Sequence, residues 1–242
     1  MFKRKKREAE ETLRRACPIS VNAADRRYSA LFSMLGQPGQ PTMNLLQLAL
    51  SCATAAIDIA LTDISNRIKK GTPDYISIYP GEHYKLLASI VKKLKPASVV
   101  ELGTHLGYSS LCMKKFMPMG GTVSTFDIIP WNHFNDTILN ESDFQQGLVQ
   151  YTDDLTNPLM VEKHKFLLEG ADIVFMDALK DGIQEYKFLQ NFSRLEFRKK
   201  CLFIFDDIRL WNMLDIWYNL DKPKLDITSF GHWSGTGLVE WN

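Results

Sequence analysis

The sequence predicts a doubly wound α/β fold with a mostly parallel sheet, and three observations carry it. Short apolar runs alternate with amphipathic stretches from residue 98 to residue 205, which is the pattern of parallel strands joined by helical crossovers. Two further β-like runs near the C-terminus, separated by Gly-His-Trp-Ser-Gly, read as an antiparallel hairpin that ends the sheet. The third is size: 242 residues with 45% apolar and 24% charged side chains can bury one full core with an appendage.

Five runs read as buried strands: Ser98 to Leu102, Thr122 to Ile128, Gly147 to Thr152, Ala171 to Met176 and Cys201 to Phe205. With Leu225 to Phe230 and Gly237 to Trp241 they make seven. Tyr108 to Phe116, Ile183 to Arg198 and Leu210 to Leu220 read as the intervening helices, with Tyr186, Leu189, Phe192 and Leu195 turned to the sheet in the second. Ahead of the first strand, Tyr84, Leu87, Ile90 and Leu94 share one helical face, and Pro96 stops that helix. Residues 43 to 61 are apolar, but Asn44, Gln47, Ser51, Thr54 and Asp58 argue against a membrane span. The stripe Leu46, Leu50, Ala53, Ile57, Leu61, Ile64 and Ile68 predicts a packing helix. It suits a homodimer seam and an intramolecular contact equally. The expected division is a basic arm and helical extension over residues 1–75, then one catalytic domain over 76–242.

A net charge of +1 gives no reason to expect a nucleic-acid partner. The first fifteen residues carry +4 and the rest sum to −3, so the basic charge is local and reads as a solvated terminus. Cys17, Cys52, Cys112 and Cys201 form no CxxC pair, and no apolar run follows the charged start. Reduced thiols and a cytoplasmic location are expected.

In such sheets ligands bind over the carboxyl ends of the strands. The first strand ends in Glu101-Leu-Gly103-Thr-His-Leu-Gly107, where the two glycines let the backbone approach a ligand. The GxxxG spacing differs from the GxGxxG of dinucleotide binders. Asp127, at the second strand end, can accept from both hydroxyls of a ribose. At the third, Asp153 and Asp154 suit either an adenine amino group or a helix cap.

Three segments, Glu101-Leu-Gly-Thr-His-Leu-Gly-Tyr-Ser109, Phe175-Met-Asp-Ala-Leu-Lys-Asp181 and Phe205-Asp-Asp-Ile-Arg-Leu-Trp-Asn212, resemble in order and spacing the signatures of the cation-dependent small-molecule O-methyltransferases, the catechol and caffeoyl-CoA group. The resemblance covers residues 75 to 242 and implies the seven-stranded, Rossmann-like class I methyltransferase fold. It implies an S-adenosylmethionine site lined by Glu101, Gly103, Thr104, Gly107, Tyr108, Ser109, Asp127, Trp131, Asp153 and Asp177. It places a divalent cation between Asp177, Asp206 and Asp207, and a catalytic lysine at Lys180 beside Asp177.

The chemistry of the residues agrees. Three converging carboxylates repel without a cation, and an all-oxygen set suits Mg²⁺ first, with Ca²⁺ or Mn²⁺ as alternatives. A lysine of depressed pKa could then deprotonate a small-molecule hydroxyl facing the sulfonium methyl. The family carries Asp-Asn where this chain has Asp206-Asp207, one extra negative charge. Trp211 is expected at the acceptor mouth, while His105 and His133 read as structural or solvent residues. Two other readings stay open: a sugar or natural-product tailoring methyltransferase with a different base, and a non-catalytic S-adenosylmethionine-binding interaction module.

Overall fold

The computed structural model describes residues 39–77, 82–230 and 232–242. The basic arm and most of the glycine- and proline-rich segment behind it lie outside these residues. Helices α1 (Met43–Ala56), α2 (Thr62–Ser65) and α3 (Glu82–Leu94) precede the alternating unit. That unit runs β1 (Ser98–Leu102), α4 (Tyr108–Lys114), β2 (Thr122–Phe126), β3 (Leu148–Tyr151), α5 (Pro158–Lys163), α6 (Lys165–Glu169), β4 (Ile173–Met176), α7 (Ile183–Phe192) and β5 (Leu202–Asp206). It closes with α8 (Met213–Asn219), β6 (Lys224–Asp226) and β7 (Thr236–Glu240).

The seven strands form one sheet in the order β3-β2-β1-β4-β5-β7-β6. The pairs from β3 through β5 are parallel, and β7 inserts antiparallel between β5 and β6. The expected doubly wound sheet and its closing hairpin are both present. Successive strand residues face opposite sides, so Val99, Ile173, Phe175, Ile204 and Leu238 pack under α1, α3 and α4. Val100, Val174, Met176, Phe203 and Phe205 pack with Phe188, Phe192 and Trp217 on the other face.

The expected stripe packs only in part: Leu61 and Ile64 belong to the core and Leu46 and Ile68 lie against it, but within α1 another face is buried. Leu45, Ala49, Cys52 and Ala56 are its buried residues, whereas Leu50 is 55% exposed and Ile57 77%. The two stripes lie side by side on one largely apolar helix, so periodicity alone could not choose between them. Asp58 to Leu61 break the helix before α2. Leu45, Ala49 and Cys52 join the same core as Val99 and Leu238, so the described part of the extension is packed onto the sheet. In α7, Phe188 and Phe192 are buried while Tyr186 is 55% exposed, and the helix ends at Phe192, before Leu195. Leu94 is exposed as well. Among the described residues, no helix is long and apolar enough to cross a membrane.

Four non-glycine residues at the carboxyl ends of the strands have left-handed backbone: His105 (φ 42°), Lys180 (φ 64°), Asp207 (φ 56°) and Trp211 (φ 47°). Such conformations cost energy and persist where the surrounding contacts over-determine them. Gly103 has φ 98°, and a Cβ there would stand 1.9 Å from the Asp177 carbonyl oxygen. Gly107, at φ 86°, would drive a Cβ into Leu139. Both glycines therefore make room for the protein's own chain, which differs from the expected clearance for a ligand. Gly103→Ala is expected to cost about 2 kcal/mol or more, lowering Tm by about 4–8 °C in a thermal melt.

Candidate active site

A cavity of about 400 Å³ opens over the carboxyl ends of β1, β2, β3 and β4. Gly103, Asp127, Asp153, Asp154 and Asp177 contribute to its wall, together with His105, Phe126, Phe134 and Phe188. Asp127 is set by backbone donors: Thr104 and His105 N–H groups donate to its Oδ2 at 3.1 and 3.0 Å, and Ile129 N–H donates to its Oδ1 at 3.0 Å. These three bonds leave one acceptor direction of the carboxylate, on Oδ1, for a ligand.

Neither acid after β3 caps a helix: α5 is capped by Asn157, whose Oδ1 accepts from the Leu159 N–H at 3.0 Å. Asp154 closes a local turn instead, its Oδ1 accepting from the Thr156 N–H at 2.8 Å and its Oδ2 from the Thr156 hydroxyl at 2.8 Å. Asp153 lines the cavity with its carboxylate tied to Lys163 Nζ and His164 Nε2, both 2.7 Å away.

The rest of the glycine turn sits behind the wall. Glu101 is fully buried and accepts from the Ser109 and Ser110 hydroxyls. Burial pushes its carboxyl up to about 7, against those hydrogen bonds. Thr104 Oγ1 is 2.7 Å from Thr125 Oγ1, and Tyr108 is buried against Tyr84. Glu101, Thr104, Gly107, Tyr108 and Ser109 are thus struts that hold the turn, and Gly103 is the member of the turn's predicted set that reaches the cavity. Trp131 stacks on Phe144 with ring centroids 5.3 Å apart, so it is not the flat wall expected of it. Phe134 and His105, packed edge to face at 5.0 Å, hold ring positions on that wall. His105 thus faces the cavity from within the glycine turn, while Phe134 stands in a loop with no motif to mark it.

At one edge of the cavity the acids converge as expected. Asp177, Asp206 and Asp207 each place an oxygen within 4.8 Å of the others. The Lys180 ammonium sits among them, paired with Asp177, 3.3 Å from Asp206 Oδ2 and 2.9 Å from Asp207 Oδ2. Its backbone N–H donates to the buried Glu185 carboxylate at 2.7 Å, which helps fix the left-handed turn.

Burial acts to depress the Lys180 pKa, but without a metal ion Asp177, Asp206 and Asp207 outweigh it and hold the ammonium well above the ordinary lysine range. A divalent cation held by the same acids would act against that shift. Burial and then the Asp177 charge push the Asp206 carboxyl well above the carboxylate range. One ammonium opposite three carboxylates leaves negative charge uncompensated, and Asp206 Oδ1 is buried without a hydrogen-bond partner. This donor set fits a divalent cation.

Two residues escaped the sequence reading. His83, at the start of α3, and His232, between β6 and β7, are both buried and place Nδ1 3.5 and 3.3 Å from Asp206 Oδ1. They stand 149 positions apart in the chain, and no short motif joins them. Trp211 is 48% exposed in the loop after β5, as expected for a residue at a mouth, and His133 is exposed.

Comparison with known proteins agrees with the geometry. No family model matches the chain. Over 135 residues it is 27% identical to catechol O-methyltransferase B of Danio rerio, spanning 51% of this chain and 47% of that protein. Over 101 residues it is 28% identical to catechol O-methyltransferase of Mus musculus, spanning 40% and 37%. The chain thus spans about half or less of the curated relatives it matches. The SAH-bound methyltransferase PaMTH1 of Podospora anserina superposes with a TM-score of 0.58 at 15% identity, over 82% of this chain and 95% of that one. The O-methyltransferase TomG of Streptomyces achromogenes, solved in complex with SAM, gives 0.50 at 18% identity, over 89% and 97%.

Two measurements probe these arrangements. Glu101 carries a folded-state pKa above its unfolded 4.5, so the folded protein binds the extra proton and stability falls as pH rises from about 4.5 to about 7. Glu101→Gln is expected to flatten that decline, worth about 3 kcal/mol, in urea titrations across the window. Lys180→Met is expected to cost the metal-free protein about 3 kcal/mol at pH 7, because the buried Asp206 and the half-buried Asp177 and Asp207 lose their counter-charge. Added divalent cation should restore part of it. The chain folds as a class I methyltransferase and is similar in sequence to the catechol O-methyltransferases.

Proposed function

We propose that this protein transfers a methyl group from S-adenosylmethionine to a hydroxyl of a small molecule, assisted by a divalent cation held by Asp177, Asp206 and Asp207. The observation that carries this reading is Asp177: it lines the cavity and also belongs to the acidic cluster, so a cofactor in one lies beside an acceptor at the other. The cavity has the chemistry of an adenosine site, with aromatic rings from Phe126 and Phe134 and an acid, Asp127, whose Oδ1 keeps an acceptor direction for a ribose hydroxyl.

A bound cation would lower the pKa of a hydroxyl placed on it. The chain's own residues contribute alignment. Gly103 and Asp177 pin the ends of β1 and β4 together, and Lys180 holds the three acids at one spacing. Methyl transfer from a sulfonium neutralises charge, so positioning oxygen, carbon and sulfur in line is the main gain available. Lys180 anchors the three acids in the arrangement described, and the tailoring-enzyme reading differs in drawing its base from another residue.

The curated relatives are named for catechol, which makes adjacent hydroxyls on an aromatic ring the first acceptor class to test. Calorimetry on the full chain should detect S-adenosylmethionine binding, and Asp127→Ala should weaken it by on the order of 10–100-fold. No heat at millimolar cofactor would overturn the proposal. With an acceptor in hand, Lys180→Ala is expected to lower kcat by about 100-fold or more if Lys180 moves the proton. A much smaller loss assigns the base elsewhere.

A further inference from the structure

The Asp206 carboxylate serves two different environments. Its Oδ2 faces the Lys180 ammonium at 3.3 Å. Its Oδ1 lies between two imidazoles, 3.5 Å from His83 Nδ1 and 3.3 Å from His232 Nδ1, and makes no hydrogen bond although buried. A buried oxygen left this way is costly and calls for an electropositive partner. Both imidazoles that face it are buried, their rings 4.6 Å apart centroid to centroid, and neither hydrogen-bonds that oxygen. Thr236 Oγ1 is 3.3 Å from His83 Nδ1 and 3.2 Å from His232 Nδ1, and its hydroxyl can donate to one of them and accept from the other. His83 Nε2 is also buried without a partner.

We propose that His83, Asp206 and His232 form a cation site that takes a divalent transition-metal ion, such as Mn²⁺, Fe²⁺ or Co²⁺, in preference to Mg²⁺. Two neutral imidazoles and one carboxylate are the donor set of such ions, whereas Mg²⁺ prefers oxygen alone. The spacing is right. Donors about 2.1 Å from one ion, at angles between octahedral and tetrahedral, stand about 3.0–3.4 Å apart, and here the oxygen stands 3.3 Å from one nitrogen and, just beyond that range, 3.5 Å from the other. The three residues come from the start of α3, the end of β5 and the β6–β7 connection, so the folded sheet assembles the site. This inference rests on the cation part of the methyl-transfer reading, since Asp206 belongs to both donor sets.

The test is a titration of the full-length, metal-free protein with Mn²⁺, followed by pulsed electron paramagnetic resonance. The expected result is bound Mn²⁺ with nitrogen hyperfine coupling from coordinated imidazole, displaced by Mg²⁺ only at a large excess. His83→Ala and His232→Ala should each weaken Mn²⁺ binding by on the order of 10-fold or more, while Asp207→Asn should retain the nitrogen coupling. Mn²⁺ that binds without nitrogen coupling overturns the proposal, as does the absence of Mn²⁺ binding at millimolar concentration. The coupling is read on the unmodified chain, so it stands whether or not each variant folds. S-adenosylmethionine binding measured on the same sample reports the methyl-transfer reading separately.

Discussion

Confining three carboxylates at neighbouring strand ends is the constraint on which the rest of the site depends. Asp177 ends β4 and Asp206 ends β5, and because these strands are adjacent and parallel their terminal residues cannot move apart without breaking the sheet. Repulsion between them is therefore built into the topology. The fold answers it with one ammonium, Lys180, delivered by a left-handed turn that the fully buried Glu185 carboxylate holds by two backbone N–H groups. A surface lysine would be worth little in that place. At 7% side-chain exposure, Lys180 has few aqueous competitors for the three acids.

That arrangement connects the cluster to the cofactor cavity. Gly103 meets the Asp177 backbone so closely that the glycine turn and the acid strand end form one rigid edge. Glu101, Ser109 and Ser110 brace the turn from inside, and Asp127 clamps its outer side through Thr104 and His105. Within the turn only Gly103 and His105 reach the cavity, and the other residues keep them in place.

The sheet was legible because its strands are short, apolar and separated by unmistakable turns, and the acids were legible because each stands at a strand end. What could not be read has a common cause. In α1, Leu45 and Leu46 start two equally apolar stripes, and the partner that selects between them, α3, lies more than thirty residues away in sequence. Trp131 was expected beside adenine from its place after β2, yet Phe144 on a later loop captures it. His83 and His232 show the same limit, since their meeting depends on β7 inserting beside β5.

The left-handed backbone at Asp207 restricts what evolution can try there. Among side chains, Asn and Asp are unusually tolerant of such a conformation, and they share one size and shape. An exchange between the two leaves the turn undisturbed while changing the charge of the cluster by a full unit. Position 207 is thus a single-residue tuning point, where the affinity and hardness of the site for a cation can drift between related chains without any remodelling of the scaffold.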